Sequence, residues 1–297
     1  MFKENHVHQF KQISMVKKAL ESKYYERNEV ILATLLTIIA GENMLLLGPP
    51  GAAKSAVLVD LCQYIRDCEY FQWVLTKRTH PDELLGPYDE KEKEYGVFKR
   101  LTKNKLPEAH IAFLDETLKA EGDTLNSLLT LLNEKTIIQK GVPEKVPLIS
   151  LFGASNEYPE DAELEALYDR FLIRMKVTYI TDQNNLLSLL SGHSTEVANG
   201  MESISLETVK VLKQIARNVE IDTSILRAIV EIRERLFEKK IEPSDRRLKN
   251  SLKILQAHAV LREREKVTFE DLVMLKHILW TRPADQDQVT KIIDDFM

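Results

Sequence analysis

Lys54 and Ser55 stand at a spacing at which an ammonium group and a hydroxyl can act together on phosphate. They follow an apolar run, Met44–Leu47, and a turn that starts at Gly48 and contains Gly51. This is the pattern G-x-x-x-x-[G/A]-K-[S/T] of a phosphate-binding loop, in which backbone N–H groups and the N-terminus of the next helix surround phosphate oxygens. We expect Lys54 to reach the β- and γ-phosphates of a nucleotide and the Ser55 hydroxyl to bind Mg²⁺.

Ala53 departs from the usual pattern, because a glycine normally precedes the lysine of such a loop. We expect Ala53 to have helical dihedral angles, since a Cβ is penalised strongly only at positive φ, and Gly51 to make the tight turn. The residues predicted to contact nucleotide are those of the loop and the first helical turn: Gly48, Pro49, Pro50, Gly51, Ala52, Ala53, Lys54, Ser55 and Ala56.

Two carboxylates form a second candidate site at the end of an apolar run. Ile111–Leu114 is followed directly by Asp115 and Glu116. A buried parallel strand presents its last side chains at the carboxyl edge of the sheet, where open α/β sheets bind ligands. We predict that Asp115 holds Mg²⁺ through water and that Glu116 polarises the attacking water as a general base.

An amide follows a third apolar segment. Leu148–Ala154 is predicted to be a strand, and Asn156 lies just beyond its end. If this strand lies between the two strands above, the amide of Asn156 comes beside the terminal phosphate and can orient the water. The alternative is that the asparagine is present because it favours a turn.

The elements that must position these groups alternate between strand and helix, which predicts an α/β domain with a largely parallel sheet. Strand signals end after Asp182, and a hairpin-like insertion is predicted at Glu94–Leu106. The predicted strands are Met44–Leu47, Tyr70–Leu75, Ile111–Leu114, Leu148–Ala154 and Leu172–Tyr179. The predicted helices are Met15–Leu20, Glu29–Ile39, Lys54–Tyr64, Thr124–Asn133 and, near the end, 205–217, 222–239, 245–263, 268–279 and 286–296. The predicted domains are a nucleotide-binding αβα domain (1–182), a linker with a short helix (183–204) and an all-helical domain (205–297).

Composition limits the classes of function. The chain has 297 residues and a formal net charge of −5, which disfavours a protein that binds nucleic acid through bulk charge. The N-terminus lacks the apolar core of a signal peptide, and the longest apolar run, Val30–Ala40, is about half the roughly 20 residues of a spanning helix. We therefore expect a cytoplasmic protein with no membrane span.

Four segments together resemble the MoxR family of AAA+ ATPases: GPPGAAKS, FLDE, GASNEYPE and LEALYDRFLIR. The helical tail, with SDRRLKNSLKILQAHA at Ser244–Ala259, is most similar to the RavA branch. The resemblance implies a P-loop αβα domain with a parallel sheet, followed by an all-α lid. It also implies a Walker A loop at Gly48–Ser55, a Walker B pair at Asp115 and Glu116, and sensor 1 at Asn156. The implied ligands are ATP or ADP and Mg²⁺.

The resemblance further implies a hexameric ring in which each nucleotide lies between subunits and takes an arginine from its neighbour. Arg170 matches the family's Asp-Arg-Phe and is the candidate for this arginine finger, with Arg174 as the alternative. Arg246 matches sensor 2, and Arg247 replaces it if the alignment slips by one residue. Pairing of Arg170 with Asp169 or Glu165 at a helix end is the purely structural explanation of that position.

The function implied is that of an ATP-hydrolysing ring that remodels or activates a protein partner, in a chaperone-like way. The MoxR resemblance suggests a partner with a von Willebrand factor A domain on a separate chain. One alternative is a nucleic-acid translocase or loader on the same fold, which needs a basic or aromatic DNA-facing element. Another is a nucleotide-dependent scaffold that does not hydrolyse ATP, against which the full set of Lys54, Asp115, Glu116 and Asn156 argues.

Overall fold

The computed structural model describes residues 7–159, 161–192 and 203–297. Its strands are β1 (Met44–Leu47), β2 (Ile65–Arg66), β3 (Tyr70–Val74), β4 (Ile111–Asp115), β5 (Thr136–Gln139), β6 (Val142–Lys145), β7 (Ser150–Ser155), β8 (Ile173–Lys176) and β9 (Ile204–Ser205). Its α-helices are α1 (Val7–Lys23), α2 (Asn28–Ala40), α3 (Lys54–Gln63), α4 (Pro81–Leu85), α5 (Glu90–Glu94), α6 (Gly122–Glu134), α7 (Ala162–Tyr168), α8 (Gln183–Leu190), α9 (Leu206–Arg217), α10 (Thr223–Glu238), α11 (Asp245–Leu261) and α12 (Gln286–Asp294).

A five-stranded sheet forms the centre of the α/β part, with strand order β3-β4-β7-β1-β8 and every neighbouring pair parallel. Strands β1 and β7 are buried along their whole length, as expected of apolar strands with helices on both faces. The parallel α/β sheet followed by a helical domain confirms the predicted fold class. Each predicted strand of the sheet is present, with its ends shifted by a few residues.

The all-apolar helix α2 lies where the sheet and the carboxyl-terminal helices meet. It contacts β8 on one side and α9 and α11 on the other, and its residues from Val30 to Ala40 are buried except Leu32. Burial on all sides explains why this helix has no polar face. Gly41 ends it in the left-handed conformation, at φ 70°, as its position predicted.

The first helix is longer than predicted. α1 runs from Val7 to Lys23, whereas the sequence indicated only Met15–Leu20. Its buried residues Phe10, Ile13, Val16 and Leu20 recur every three to four positions, so the helical period was present among polar neighbours.

The predicted hairpin at Glu94–Leu106 is wrong. Helix α5 and a loop occupy this region, closed by an antiparallel bridge between Tyr88 and Arg100. The antiparallel hairpin of the structure is β5–β6, whose two loop residues, Lys140 and Gly141, both have positive φ (52° and 78°). A two-residue loop of this kind matches the twist of the flanking strands, which is why the turn forms there.

The expectation that no strand follows Asp182 is also wrong, because β9 pairs in parallel with β2 over two residues. So short a strand leaves no alternating pattern in the sequence. Helix α8 occupies the first part of the predicted linker, while Gly200 and the rest of 193–202 lie outside the described residues. The division into domains at 182 and 204 stays a prediction.

The carboxyl-terminal part is helical, as predicted, and its elements are α9 to α12 with a 3₁₀ helix at Phe269–His277 between α11 and α12. Ser244 caps α11, because its hydroxyl accepts a hydrogen bond from the Arg247 N–H. Among the described residues, none of the helices combines the length and the apolar composition needed to cross a bilayer.

Candidate nucleotide site and arginine cleft

The loop after β1 begins at Gly48, which has no room for a side chain. A Cβ there would lie 2.0 Å from the backbone oxygen of Val177, and the Gly48 N–H donates to the Ser155 oxygen at 3.0 Å. The loop is therefore packed tightly between the ends of β7 and β8. Gly51 has φ 78° and makes the tight turn, as predicted.

The expectation that Ala53 has helical dihedral angles is wrong. Its φ of 59° and ψ of 28° are left-handed, not helical, and α3 begins only at Lys54. The loop has to reverse its direction just before the helix, and that reversal requires the conformation that glycine usually supplies. An alanine in this conformation carries a strain of roughly 1–2 kcal/mol, which places backbone strain within the loop.

The Lys54 ammonium lies within the loop and donates to the backbone oxygens of Gly48 (2.5 Å) and Pro49 (3.1 Å). Burial lowers the pKa of Lys54, and the carboxylates of Asp115 and Glu116 act in the opposite direction. The two carboxylates are thus close enough to the lysine to stabilise its charge. Strand β1, which leads into the loop, and strand β4, which ends at Asp115, lie on either side of β7 and end at the same edge of the sheet, so the lysine and the predicted acidic pair lie at one edge.

Glu116 adopts a left-handed conformation directly after β4, with φ 52° and ψ 39°. Its N–H donates to Asp115 Oδ1 at 2.9 Å, and its Oε2 forms an ion pair with the Lys119 ammonium at 3.2 Å. Oε2 is buried and accepts no hydrogen bond of good geometry from any described residue. This oxygen therefore has no hydrogen-bond donor among the described residues and keeps capacity to accept a hydrogen bond.

Asn156 lies next to the start of the phosphate loop. Strand β7 lies between β1 and β4, as predicted, and its last residue, Ser155, pairs with Leu47. Asn156 and Gly48 therefore leave neighbouring strands at the same edge of the sheet. The side chain of Asn156 is exposed, so it is accessible to a ligand at that edge.

The sequence analysis missed Arg27, which holds the loop in place. Its buried side chain donates from Nη2 to the Thr178 oxygen at 2.6 Å and from Nε to the Ala52 oxygen at 3.3 Å. These bonds connect the loop to the chain that follows β8, and the Tyr179 hydroxyl adds a bond to the Pro50 oxygen at 3.2 Å. No local pattern marks Arg27, because its acceptors are backbone atoms distant in sequence.

Glu26, the neighbour of Arg27, holds the start of α8. Its carboxylate accepts from the N–H groups of Asp182 and Thr181, and these backbone hydrogen bonds lower the pKa of Glu26 to about 2. Glu26 and Arg27 together fix the segment 178–182 against the beginning of α2.

Arg170 and Arg246 line a cleft of about 780 Å³ at the opposite edge of the sheet. Its lining includes Asn43 and Leu172, which precede β1 and β8. β1 separates this amino edge from the phosphate loop by about 13 Å, from 4 residues at about 3.3 Å each. Desolvation, and then the charge of Arg246, lowers the pKa of Arg170. The two guanidinium groups thus repel each other and favour an anion between them.

Arg174 does not fit the role of an arginine finger. Its guanidinium is fully buried, donates to the backbone oxygens of Trp280 (3.0 Å) and Tyr168 (3.1 Å), and lies over the Tyr168 ring. A side chain held in this way cannot contact another subunit, so this alternative for the finger is wrong. The sequence correctly identified strand β8, which carries Arg174. The alternation of apolar and basic residues in this strand did not indicate that the Arg174 side chain is buried.

Arg247 is buried as well. It donates to Asp169 Oδ1 at 2.9 Å and to the Trp280 oxygen at 3.3 Å, so it ties α11 to the end of α7. Arg246 is exposed and faces the cleft. Both candidates for sensor 2 line the cleft, but the Arg247 guanidinium is engaged by Asp169 and the Trp280 oxygen, so Arg246 is the exposed one of the two.

Comparison with known proteins agrees with this arrangement. Residues 11–216 match the family of MoxR domains found in MoxR–vWA–β-propeller ternary systems. The chain belongs to this MoxR family. Residues 224–293 of this MoxR chain match a family of AAA lid domains. The more specific RavA assignment stays a prediction.

The MoxR chain is similar to two uncharacterised proteins of Methanocaldococcus jannaschii. Both are 40% identical, one over 95% of this chain and 74% of that protein, the other over 92% and 72%. A solved structure described as a putative ATPase from Cytophaga hutchinsonii has a TM-score of 0.77 and 19% identity, and covers 99% of this chain and 96% of that chain. At this identity, the likeness supports the AAA fold alone.

Proposed function

We propose that this MoxR chain is a Mg²⁺-dependent ATPase that works as a homo-oligomeric ring. The observation that carries the proposal is the sheet order: β7 lies between β1 and β4, so the phosphate loop, the pair Asp115–Glu116 and Asn156 all lie at the same edge of the sheet. A cation, two carboxylates and loop N–H groups at one point are the set that phosphoanhydride cleavage requires.

The donor set fits a magnesium ion. Ser55 is in the first turn of α3 and Asp115 ends β4, and both offer the hard oxygen atoms that Mg²⁺ prefers. Magnesium in phosphate sites uses few protein ligands and keeps several waters, so two side chains are sufficient. The bound ion supplies positive charge to the β- and γ-phosphate oxygens.

The chain's own residues then divide the reaction between them. Lys54 turns from the loop carbonyl oxygens to the β- and γ-phosphates of ATP. Glu116 accepts a proton from water, whose oxygen attacks the γ-phosphorus while the bond to the β-phosphate oxygen breaks, giving ADP and phosphate. Asn156 orients this water from the neighbouring strand.

Arg170 and Arg246 act on the nucleotide of the neighbouring subunit. Both lie at the amino edge of the sheet, away from their own phosphate loop, so they reach a nucleotide only when another copy brings its loop to this cleft. A head-to-tail contact of this kind closes into a ring when its rotation divides a full turn evenly, and we propose a ring of six subunits. Arginines supplied in trans raise phosphoryl-transfer rates by about 10³–10⁵ in other systems.

We propose a protein with a von Willebrand factor A domain as the partner that the ring remodels. The matched family is described from systems in which a MoxR domain occurs with a vWA domain, which supports this choice. The net charge of −5 argues against the alternative, a nucleic-acid translocase. Turnover that DNA stimulates, and that a vWA protein leaves unchanged, would favour the translocase.

The substitution Glu116→Gln tests the enzymatic part. It keeps the size of the side chain but removes the proton acceptor, so ATP binding should be retained while turnover falls by about 10²–10⁴. Glu121→Gln is the matched control, because Glu121 is an exposed glutamate that pairs with Lys77 on the surface. Equal turnover in the two variants would show that Glu116 is not the general base.

A further inference from the structure

Two of the three nitrogens of the Arg170 guanidinium form hydrogen bonds to atoms of its own subunit. Its Nε donates to the side-chain oxygen of Asn133, and its Nη1 donates to the Ala166 oxygen at 3.4 Å. The Asp169 carboxylate lies 3.9 Å from Nη1. No described residue accepts a hydrogen bond from Nη2, so this nitrogen has no partner within the described part of the chain.

Asn133 is well placed to fix this side chain. It is the penultimate residue of α6 and lines the same cleft as Arg170 and Arg246. A guanidinium is planar, so bonds at Nε and Nη1, which lie on either side of Nη2, together define the plane and leave Nη2 at the outer end of the group open. The Nε–H shares an edge of the group with Nη2, so the bond to Asn133 sets the direction in which Nη2 faces.

The positive charge around the cleft repels the Arg170 guanidinium and disfavours its observed position. Six basic side chains line the cleft, Lys135, Arg170, Arg246, Arg247, Lys249 and Lys253, against two acidic ones, Glu42 and Asp169. Arg246 in particular acts on Arg170 strongly enough to contribute to its lowered pKa. Without an anchor, repulsion and the freedom of a long side chain would turn Arg170 towards water.

We propose that Asn133 is a positioning residue for the arginine finger: its amide oxygen holds Nε of Arg170 so that Nη2 faces the γ-phosphate bound by the neighbouring subunit. This inference rests on the proposed ring ATPase. Asn133 does not touch the nucleotide, and the side chain is exposed, so its role is not to stabilise the core.

The substitution Asn133→Ala tests this role. Misplacement of a catalytic group by about 1 Å can cost up to about 10²-fold in rate, so we expect kcat for ATP to fall by about 10–100-fold. Nucleotide affinity and KM should be unchanged, because binding uses the subunit's own phosphate loop. Asn133→Asp retains the acceptor oxygen and should restore kcat to within about threefold of the unaltered protein.

Two further measurements separate positioning from a general effect. Asn126→Ala, an exposed asparagine on the same helix, is the matched control and should leave kcat and the melting temperature unchanged. Rings that mix Asn133→Ala with Glu116→Gln subunits should regain turnover, since the latter supply an intact finger to an intact site. In an Arg170→Ala background, Asn133→Ala should cause no further loss.

The outcomes distinguish this inference from the function on which it rests. If the unaltered protein does not hydrolyse ATP, the proposed function is wrong and the inference with it. If Arg170→Ala hydrolyses ATP at the full rate, the ATPase stands but the finger role of Arg170 is wrong, and the inference with it. If Arg170→Ala is slow but Asn133→Ala matches Asn126→Ala, only the positioning role is wrong. A further loss of rate in the double variant would also overturn it.

Discussion

The left-handed backbone at Ala53 makes a prediction about stability that can be worked out from the structure. At φ 59° an alanine is strained by roughly 1–2 kcal/mol relative to a glycine. Ala53→Gly removes this strain but gives the unfolded chain more freedom, which costs about 0.5–1 kcal/mol. The difference is a net stabilisation of about 0.5–1 kcal/mol, or a rise in melting temperature of about 1–3 °C for a chain of this length.

The same substitution three residues later is the control. Ala56 lies inside α3, where glycine only adds freedom to the unfolded chain, so Ala56→Gly should destabilise the protein by about 1 kcal/mol. Its melting temperature should fall by about 2–4 °C. Both variants lose the same methyl group. Opposite signs of the change in melting temperature would therefore isolate the effect of backbone conformation.

The assay is thermal unfolding without nucleotide, followed by circular dichroism or calorimetry, for the unaltered chain and both variants. Nucleotide is left out because binding would add its own stabilisation. If Ala53→Gly lowered the melting temperature as much as Ala56→Gly, the left-handed assignment of Ala53 would be refuted. The strain argument for the loop would be withdrawn with it.

Two more predictions concern the surroundings of the loop. Gly48→Ala places a Cβ 2.0 Å from the Val177 oxygen, so the loop has to shift, and we expect lost nucleotide binding and a melting temperature several degrees lower. Gly141→Ala, whose Cβ would meet open space, should show a smaller loss and normal binding in the same titration. Glu26→Gln should lower the melting temperature at pH 7, because the depressed pKa of Glu26 means that its carboxylate stabilises the fold above about pH 4.5. That stabilisation is lost as the pH falls through about 2, so a difference between variant and unaltered chain that persists undiminished at pH 2 would contradict the assignment.

The groups at the carboxyl edge of the sheet could be predicted from the sequence because each one lies at the end of an apolar run or in the loop that follows it. Lys54 follows β1, Asp115 ends β4 and Asn156 follows β7. Parallel strands all end at one edge, so a correct strand assignment brings these residues together. Resemblance to MoxR proteins supplied the roles of Arg170 and Arg246, which spacing alone does not define.

Other features depend on contacts between distant segments, which no local pattern encodes. Arg27 contacts backbone atoms near residues 52 and 178, and Arg174 meets the Trp280 oxygen more than a hundred residues away. The helical angles expected of Ala53 were wrong because the direction of the loop, and not the preference of the residue, determines its φ. The hairpin was predicted at Glu94–Leu106 because apolar and polar residues alternate there. The turn residues Lys140 and Gly141, where the β5–β6 hairpin forms, were not used in that prediction.

Several expectations stay predictions. The cytoplasmic location, the hexamer, the vWA partner and the roles of Asn156, Arg170 and Arg246 rest on physical argument and on the properties of the MoxR family. The central one is the action of an arginine across a subunit interface. If it is right, the amino edge of one subunit's sheet and the carboxyl edge of its neighbour's sheet together form the catalytic site.

The most direct test of that claim is ATP turnover in mixed rings. Arg170→Ala subunits have an intact site and no finger, while Glu116→Gln subunits have a finger and no general base, so each alone should be nearly inactive. In an equal mixture, about a quarter of the interfaces pair an intact site with an intact finger, and turnover should rise well above that of either variant. Turnover that stays at the sum of the two separate variants, in rings shown to contain both, would contradict an arginine supplied by the neighbouring subunit.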